Sequence, residues 1–362
     1  VQAANNILDD AAAMARADSA GMLGLVATLP SQVAEGWSIS RGLELPWERP
    51  RAVAILGMGG SAIGGDLVKE IWSDRIEAPV EILRGYDLPA WVGPETLVIA
   101  SSKSGQTEET LRQLESALSR RCPVVCVTAG GALRNVARAA GLPLAVFPDR
   151  GAPRASVGWS VGILAGVLER AGVLGVDQSE IDEAVAAGQA MSARCAPDVA
   201  TADNPAKQLA WSLIDRFVVV GGAGFLAPVA RRWKTQLNEN GKATAVWEEL
   251  PEATHNTVVG FEQPESLRDH LAVVFLRSPQ LDHPRNALRA QLVGDLLETG
   301  HVWHTFVEAE GEGRLGQALS TVVLGDFVSV YVAFMYAMDP TPVDVIEHIK
   351  EQLALADQAG AD

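Results

Sequence analysis

The feature that most limits the fold is a repeated switch of hydrophobic period. The apolar run Ala52–Leu56 leads into the glycine-rich turn GMGGSA and then a helical pattern; Leu97–Ala100 leads into SSKSGQTEET and the helical LRQLESAL. CPVVCVTA, GALRNVARAAG and LPLAVFP continue as strand, helix and strand. Short, fully apolar runs that alternate with helical stretches are strands buried on both faces, and helical crossovers between such strands make a parallel sheet. The pattern then restarts with the strand and turn RFVVVGGAG, the helix PVARRWKTQLNENGK, the strand LAVVFLRSP, the helix RNALRAQLVGDLLETG and the strand HVWHTFV. Ala52–Gly60 corresponds to Phe217–Gly224, and Leu97–Ser102 to Ala272–Arg277. The expected fold is α/β, with two parallel-sheet domains of one type in tandem.

A length of 362 residues accommodates this. The expected N-terminal domain covers 1–172, with a leading helix over 10–38 and a buried helix at SVGWSVGILAGVLERAG. An acidic, alanine-rich helical bridge is expected over 173–203. The C-terminal domain, 204–362, ends in a long apolar helix, the stop signal DPTP and a short helix. A net charge of −16 argues against nucleic acid or an anionic membrane as partner. No apolar run is expected to reach the roughly 20 residues of a membrane span, and VQAANNILDDAAAMARADSA lacks the regions of a signal peptide. Cys122, Cys126 and Cys195 are odd in number and read as reduced thiols of a cytoplasmic protein.

The two strand-to-helix turns carry the chemistry. Gly57–Ala62 satisfies the dinucleotide pattern G-x-G-x-x-G/A, and Glu81 lies near the distance of a ribose-binding acid. Against that reading, Ser61 adds a hydroxyl at the helix start, and the second turn clusters Ser102, Ser104 and Thr107 at another helix start. Two adjacent strand ends that offer hydroxyls and free N–H groups form a compact cup for one phosphate dianion, whereas a dinucleotide needs a long groove. In so acidic a chain an anionic ligand has to be held by such local donors.

GMGGSAIGGDL followed by SSKSGQTEET resembles the sugar-isomerase (SIS) domain. RRWKTQLNENGK, LPEATHN and GDFVSVYVAFMYAMDPTPVDVIEHIK resemble the bifunctional phosphoglucose/phosphomannose isomerases of archaea and bacteria, from about residue 20 to the end. The resemblance implies two flavodoxin-like SIS domains and an aldose–ketose isomerase acting on glucose 6-phosphate, with mannose 6-phosphate a candidate second substrate. It further implies no metal or other cofactor, and a homodimer with shared active sites. Moving a proton between C1 and C2 through a cis-enediolate needs a carboxylate base, a cation for the enediolate oxygen, a ring-opening group and a phosphate anchor. By resemblance these are Glu239, Arg154 and His255, the histidine serving the neighbouring subunit's site, with phosphate on Gly59, Gly60, Ser61, Ser102, Ser104 and Thr107. Lys350 matches a lysine that assists ring chemistry, and His348 is the competing candidate on the same helix. His270, His283, His301 and His304 are left as non-catalytic, since an HxxH pair without a matching carboxylate is poor evidence of a metal site.

Other readings of these residues stay open. Glu239 also fits a solvated helix end, and Arg154 also fits a salt bridge with Asp149. The family's phosphate loop usually carries an aromatic residue where this chain has Lys103, which either meets substrate phosphate or points to solvent. Gln106 stands for the usual asparagine. Thr341 lies in the neighbourhood of a threonine linked in the family to discrimination of C2 epimers. Two other functions compete: a phosphosugar-binding sensor that keeps the loops without the base, and an NAD-linked enzyme.

Overall fold

A computed structural model describes residues 7–46 and 49–359 of the protein. One parallel sheet contains β1 (Ala52–Leu56), β2 (Val80–Leu83), β3 (Thr96–Ser101), β4 (Val124–Thr128) and β5 (Leu144–Val146), in the order β2-β1-β3-β4-β5. The other contains β6 (Phe217–Ala223), β7 (Ala245–Leu250), β8 (Leu271–Arg277) and β9 (Trp303–Glu308), in the order β7-β6-β8-β9. The second order repeats the first without a partner for β5, and the registers agree: Ala52 faces Thr96 as Phe217 faces Leu271. This is the flavodoxin-like order, whose ligand crevice opens at the carboxyl ends of the strands beside the switch in chain direction.

The helices are α1 (Ala11–Ala17), α2 (Met22–Ala27), α3 (Leu29–Arg41), α4 (Gly59–Ile71), α5 (Glu108–Ser119), α6 (Gly131–Ala139) and α7 (Val157–Arg170) in the first half. They continue as α8 (Gln178–Arg194), α9 (Pro205–Leu213), α10 (Ala227–Glu239), α11 (Thr257–Gly260), α12 (Pro284–Thr299), α13 (Gly313–Met335) and α14 (Asp344–Ala359). The expected leading helix is broken into pieces, because Asp18 ends α1 and caps α2 by accepting from the N–H groups of Met22 and Leu23. β7 was not anticipated: its sequence AVWEEL breaks the apolar pattern because it is an edge strand whose Val246 and Glu249 face solvent.

Strand alternation sorts the core into layers. Val53, Ile55, Leu97, Ile99, Val125 and Val127 point into one large cluster that also takes Val218, Val220, Ala272, Val274 and Leu276 from the other sheet. Their neighbours in sequence, such as Ala54, Leu56, Val98 and Ala100, form a separate outer cluster under α5 and α6. Val219, Val273 and Phe275 do the same under α11 and α12. The two sheets therefore share one central helical layer, in which α3 packs on α7, α13 packs on α8, α9 and α10, and α10 touches α4.

Two features of that layer are physically demanding. α7 meets α3 through Gly158, Gly162 and Gly166; a Cβ on Gly162 would lie 2.1 Å from the carbonyl oxygen of Val33. α13 corrects an expectation, since its 23 residues are long and apolar enough to cross a membrane by length and composition. Here 94% of its apolar window is buried inside the protein. Replacing Gly162 by alanine is expected to lower stability by about 2–3 kcal/mol or more in urea unfolding, as overpacking does. Gly24→Ala, in α2 with nothing within 4 Å of the added methyl, is expected instead to gain roughly 0.5–1 kcal/mol.

Candidate active site

The site is assembled at the carboxyl edge of the first sheet. After β1 the chain turns through Gly57 and Met58 into α4, where Gly59 takes φ 49°, a left-handed value open to glycine. After β3 it turns through Ser102–Gln106 into α5. A Cβ on Gly57 would lie 3.1 Å from the Ser101 carbonyl oxygen and 3.3 Å from Ser61 Cβ, so the two turns abut and form one concavity. Neither Met58 nor Thr107 makes a side-chain cap bond to its helix. The N–H groups of Gly59 and Gly60 at the start of α4, and those of the first turn of α5, therefore keep their donor capacity, while the Ser61 N–H is taken by the Met58 carbonyl at 3.1 Å.

The second turn is internally braced. The Ser102 and Thr107 hydroxyls lie 2.8 Å apart, and Ser102 Oγ accepts from the Gly105 N–H at 3.1 Å. Ser104 Oγ accepts from the Gln106 N–H at 3.2 Å. Gly105, at φ 64°, packs so tightly on the next turn that a Cβ would fall 1.9 Å from the Gly130 carbonyl oxygen. All six residues expected to hold phosphate thus come together on two adjoining turns. The Pro153–Arg154 segment rests on Gly60, with the Pro153 carbonyl 2.9 Å from where a Cβ would be, which brings Arg154 beside the first turn.

Arg154 follows β5 and is only 3% exposed in its side chain. Its Nε donates to Asn240 Oδ1 at 2.5 Å, and Nη2 donates to the carbonyls of Pro340 (2.8 Å) and Thr341 (2.6 Å). Nη1 faces the Glu239 carboxylate at 3.5 Å and has no other partner among the described residues. The alternative pairing with Asp149 is not formed. Burial pushes the Arg154 guanidinium down from its usual value, Glu239 opposes the shift, and nearby Arg232 adds to it. Glu239, the last residue of α10, is 31% exposed. A half-exposed carboxylate and the one unsaturated edge of a buried guanidinium face the same space.

Buried polar residues hold this pair in place. Arg232 Nη2 donates to the Arg154 carbonyl at 2.7 Å and to Asp326 Oδ2 at 2.6 Å, and both ion-paired side chains are 1% exposed. Burial raises the Asp326 carboxyl, and Arg232 opposes the rise. Asn240 Nδ2 donates to Ser329 Oγ at 3.0 Å. Lys242 takes φ 55° and donates to the carbonyls of Glu239 (2.6 Å), Pro342 (2.6 Å) and Pro340 (3.1 Å). Its ammonium is pushed down, first by burial and then by Arg154. Sequence reasoning missed the roles of Arg232 and Asp326; the available signal was a lone Asp within the apolar helix GDFVSVYVAF.

Three expectations on the second half need correction or relocation. Lys350 is not brought to Glu239: it pairs with Glu347 at 2.9 Å, with its side chain 65% exposed, because α14 lies on the surface. His348 is exposed on the same helix. His255 is exposed in the turn after β7, at the carboxyl edge of the second sheet, while Glu239 ends α10 at the opposite edge. α10 runs 13 residues, about 20 Å at 1.5 Å per residue, so one chain does not join the two groups. Thr341 is at the site: its N–H donates to Asp339 Oδ1 at 2.9 Å, and its Oγ1 is buried without a partner.

Against this geometry stand the likenesses to known proteins. A relative from Caldicellulosiruptor bescii, named bifunctional phosphoglucose/phosphomannose isomerase, is 35% identical over 332 residues, 91% of this chain and 98% of its own. The chain belongs to that family. A second relative of the same name, from Aquifex aeolicus, is 34% identical over 84% of this chain and 90% of its own. Residues 202–353 match the model of the bacterial phospho-glucose isomerase C-terminal SIS domain, and the first sheet repeats that domain's strand order. A hypothetical protein of Thermus thermophilus shares the fold at TM-score 0.76 and 18% identity, over 98% of this chain and 95% of its own. The chain is thus an isomerase with SIS domains in tandem. Among the described residues no three His, Cys, Asp or Glu side chains gather as metal ligands. The three cysteines are buried and free, and burial pushes the Cys126 and Cys195 thiols up to about 12.

The buried pair of Arg232 and Asp326 lends itself to a test. Arg232→Met alone is expected to cost about 3–5 kcal/mol in urea unfolding, by stranding a buried carboxylate. Adding Asp326→Leu should recover much of that stability. Neither variant should recover turnover, since the Arg154 carbonyl has lost its donor in both.

Proposed function

We propose that the protein interconverts glucose 6-phosphate, and mannose 6-phosphate as a second substrate, with fructose 6-phosphate through a cis-enediolate. The observation that carries this reading is the Glu239–Arg154 pair, with the Arg154 backbone packed on Gly60 of the first turn. Phosphate sits on the N–H groups of Gly59 and Gly60 and on the hydroxyls of Ser61, Ser102, Ser104 and Thr107. That anchor presents C1 and C2 to Glu239, which moves the proton between them as base and then acid. Charge develops on the O1–O2 edge in the transition state, where Arg154 Nη1 is available to meet it. Lys242, held on the carbonyls of Glu239, Pro340 and Pro342, stands as a second cation beside Glu239, whereas Lys350, to which the resemblance gave ring chemistry, lies on the surface. Thr341, whose carbonyl accepts from Arg154 and whose hydroxyl has no partner among the described residues, is the residue we assign to handling of the C2 epimers.

Ring opening falls to His255 of a second subunit, and the separation of His255 from Glu239 within one chain supports a homodimer with shared sites. We assign the reaction to the cytoplasm, in keeping with free, buried thiols.

Glu239→Gln is expected to lower kcat by roughly 10²–10⁴ while leaving hexose 6-phosphate affinity within a few-fold. Mixing the Glu239→Gln and His255→Ala proteins should restore about a quarter of wild-type activity, because half of the dimers then carry one intact composite site. A sensor would show no turnover with any hexose 6-phosphate, and a site complete within one chain would show no restoration on mixing.

A further inference from the structure

Lys103 stands between the two serines of the cup, yet its ammonium is turned away from it. Nζ donates to Asp149 Oδ1 at 2.5 Å and to the Gly151 carbonyl at 2.6 Å, and the lysine side chain is only 11% exposed. Neither sequence-based alternative, phosphate or solvent, describes this arrangement. The cup needs no bracing from it. The Lys103 carbonyl already accepts from the Ala129 N–H at 3.1 Å, and the Gly105 carbonyl accepts from the Leu133 N–H at 3.0 Å. What the ammonium does hold is the Asp149–Gly151 turn, where Gly151 adopts φ 63°. That turn leads within three residues to Arg154 by way of Pro153, whose carbonyl lies against Gly60.

We infer that Lys103 is a positioning residue: it clasps the Asp149–Gly151 turn to the phosphate cup and so sets the height of Arg154 over a bound phosphosugar. This rests on the isomerase reading above. The pair is open to solvent on its acidic side, where Asp149 is 74% exposed, which limits its contribution to stability; the function of the clasp is registration of two loops. A displacement of about 1 Å in a group that meets developing charge lowers turnover strongly, and the ground-state phosphate contacts are left as they were.

The experiment compares wild type, Lys103→Met, Lys103→Arg and Asp149→Asn in kcat and KM for fructose 6-phosphate, in competitive inhibition by inorganic phosphate, and in tryptic cleavage after the exposed Arg150. Lys103→Met is expected to lower kcat by roughly 10- to 100-fold. Its phosphate inhibition constant should move less than about twofold, since the anchor acts equally on ground and transition states, and cleavage after Arg150 should speed up. Asp149→Asn should shift kcat and cleavage in the same direction by less, and Lys103→Arg should retain most activity. If Lys103→Met weakens phosphate about tenfold while Asp149→Asn tightens it, the ammonium is a phosphate ligand and the clasp is wrong. An unchanged kcat with a lowered melting temperature would reduce Lys103 to a packing role and also overturn it. Should the wild-type protein turn over no hexose 6-phosphate, the isomerase reading falls by itself. The clasp is then judged on tryptic cleavage, and an unaltered rate at Arg150 in Lys103→Met sinks it.

Discussion

A buried guanidinium has to be satisfied from every side, and the way Arg154 is satisfied joins the two halves of this protein. It stands on the segment after β5, but its partners are Asn240 at the end of α10 and the carbonyls of Pro340 and Thr341 beyond α13. Its own carbonyl is held by Arg232, which is neutralised by Asp326. Every one of those partners belongs to the second half. Removing a charge from water costs several kcal/mol unless it is paired and hydrogen-bonded, so the first sheet's crevice keeps its arginine only while the second half is docked. The apolar core makes the same demand, since side chains from both sheets meet in one cluster around α7, α10 and α13.

The halves repeat each other in fold and differ in what their crevices offer. Gly224 takes φ 51° after β6 as Gly59 takes φ 49° after β1. Ser278 Oγ accepts from the N–H three residues on, as Ser102 Oγ does. Even the ion pair recurs, with Arg314 on Asp74 at 2.8 Å. The donors for an anion do not recur. Phe225 and Leu226 stand where the first half has Gly60 and Ser61, and Pro228 near the start of α10 has no N–H to give. His283 Nδ1 accepts from the Arg285 N–H and so caps α12, and Asp282 occupies the Ser278 N–H at 2.7 Å. The second half therefore contributes helix ends and carbonyls to its neighbour's crevice, while its own carboxyl-edge pocket, lined by Gly224, Phe225, Asp282, His283 and Arg314, stays open but lacks the uncapped, hydroxyl-rich turns of the first.

Most of this architecture was legible in the sequence because parallel strands buried on both faces leave an unmixed apolar signature. β1, β3, β4, β6 and β8 are such strands. β7 was not legible, since an edge strand may carry Glu248 and Glu249, and its partner β6 rather than its own pattern makes it a strand. The two strand-to-helix turns proposed to hold phosphate were readable as turns because clustered glycines and hydroxyls mark such junctions. Glu239 and Arg154 came from resemblance, and geometry alone joins them. Asn240, Asp326 and the role of Lys103 lay beyond the sequence, because each depends on which segment distant in the chain stops beside it.

On the reaction proposed above, the placement of charge follows from what changes between substrate and transition state. The phosphate of a hexose 6-phosphate keeps its charge from substrate to product, so donors on it bind ground and transition states alike and contribute nothing to the chemical step. Neutral donors, two uncapped helix starts and a set of hydroxyls, suffice there, even with Glu108 and Glu109 in the first turn of α5. In the proposed cis-enediolate route O1 and O2 gain charge on the way to the transition state, and a cation fixed beside them acts differentially. In a chain of net charge −16, the cations Arg154 and Lys242 converge on the Glu239 end of the crevice, while Lys103 at the phosphate end is turned aside to hold the loop that carries one of them. The same logic accounts for the burial of Arg154. A desolvated guanidinium with one unsaturated edge interacts more strongly with a new anion than a hydrated one, and the carbonyls that fill its other edges keep it from collapsing onto Glu239 before the substrate arrives.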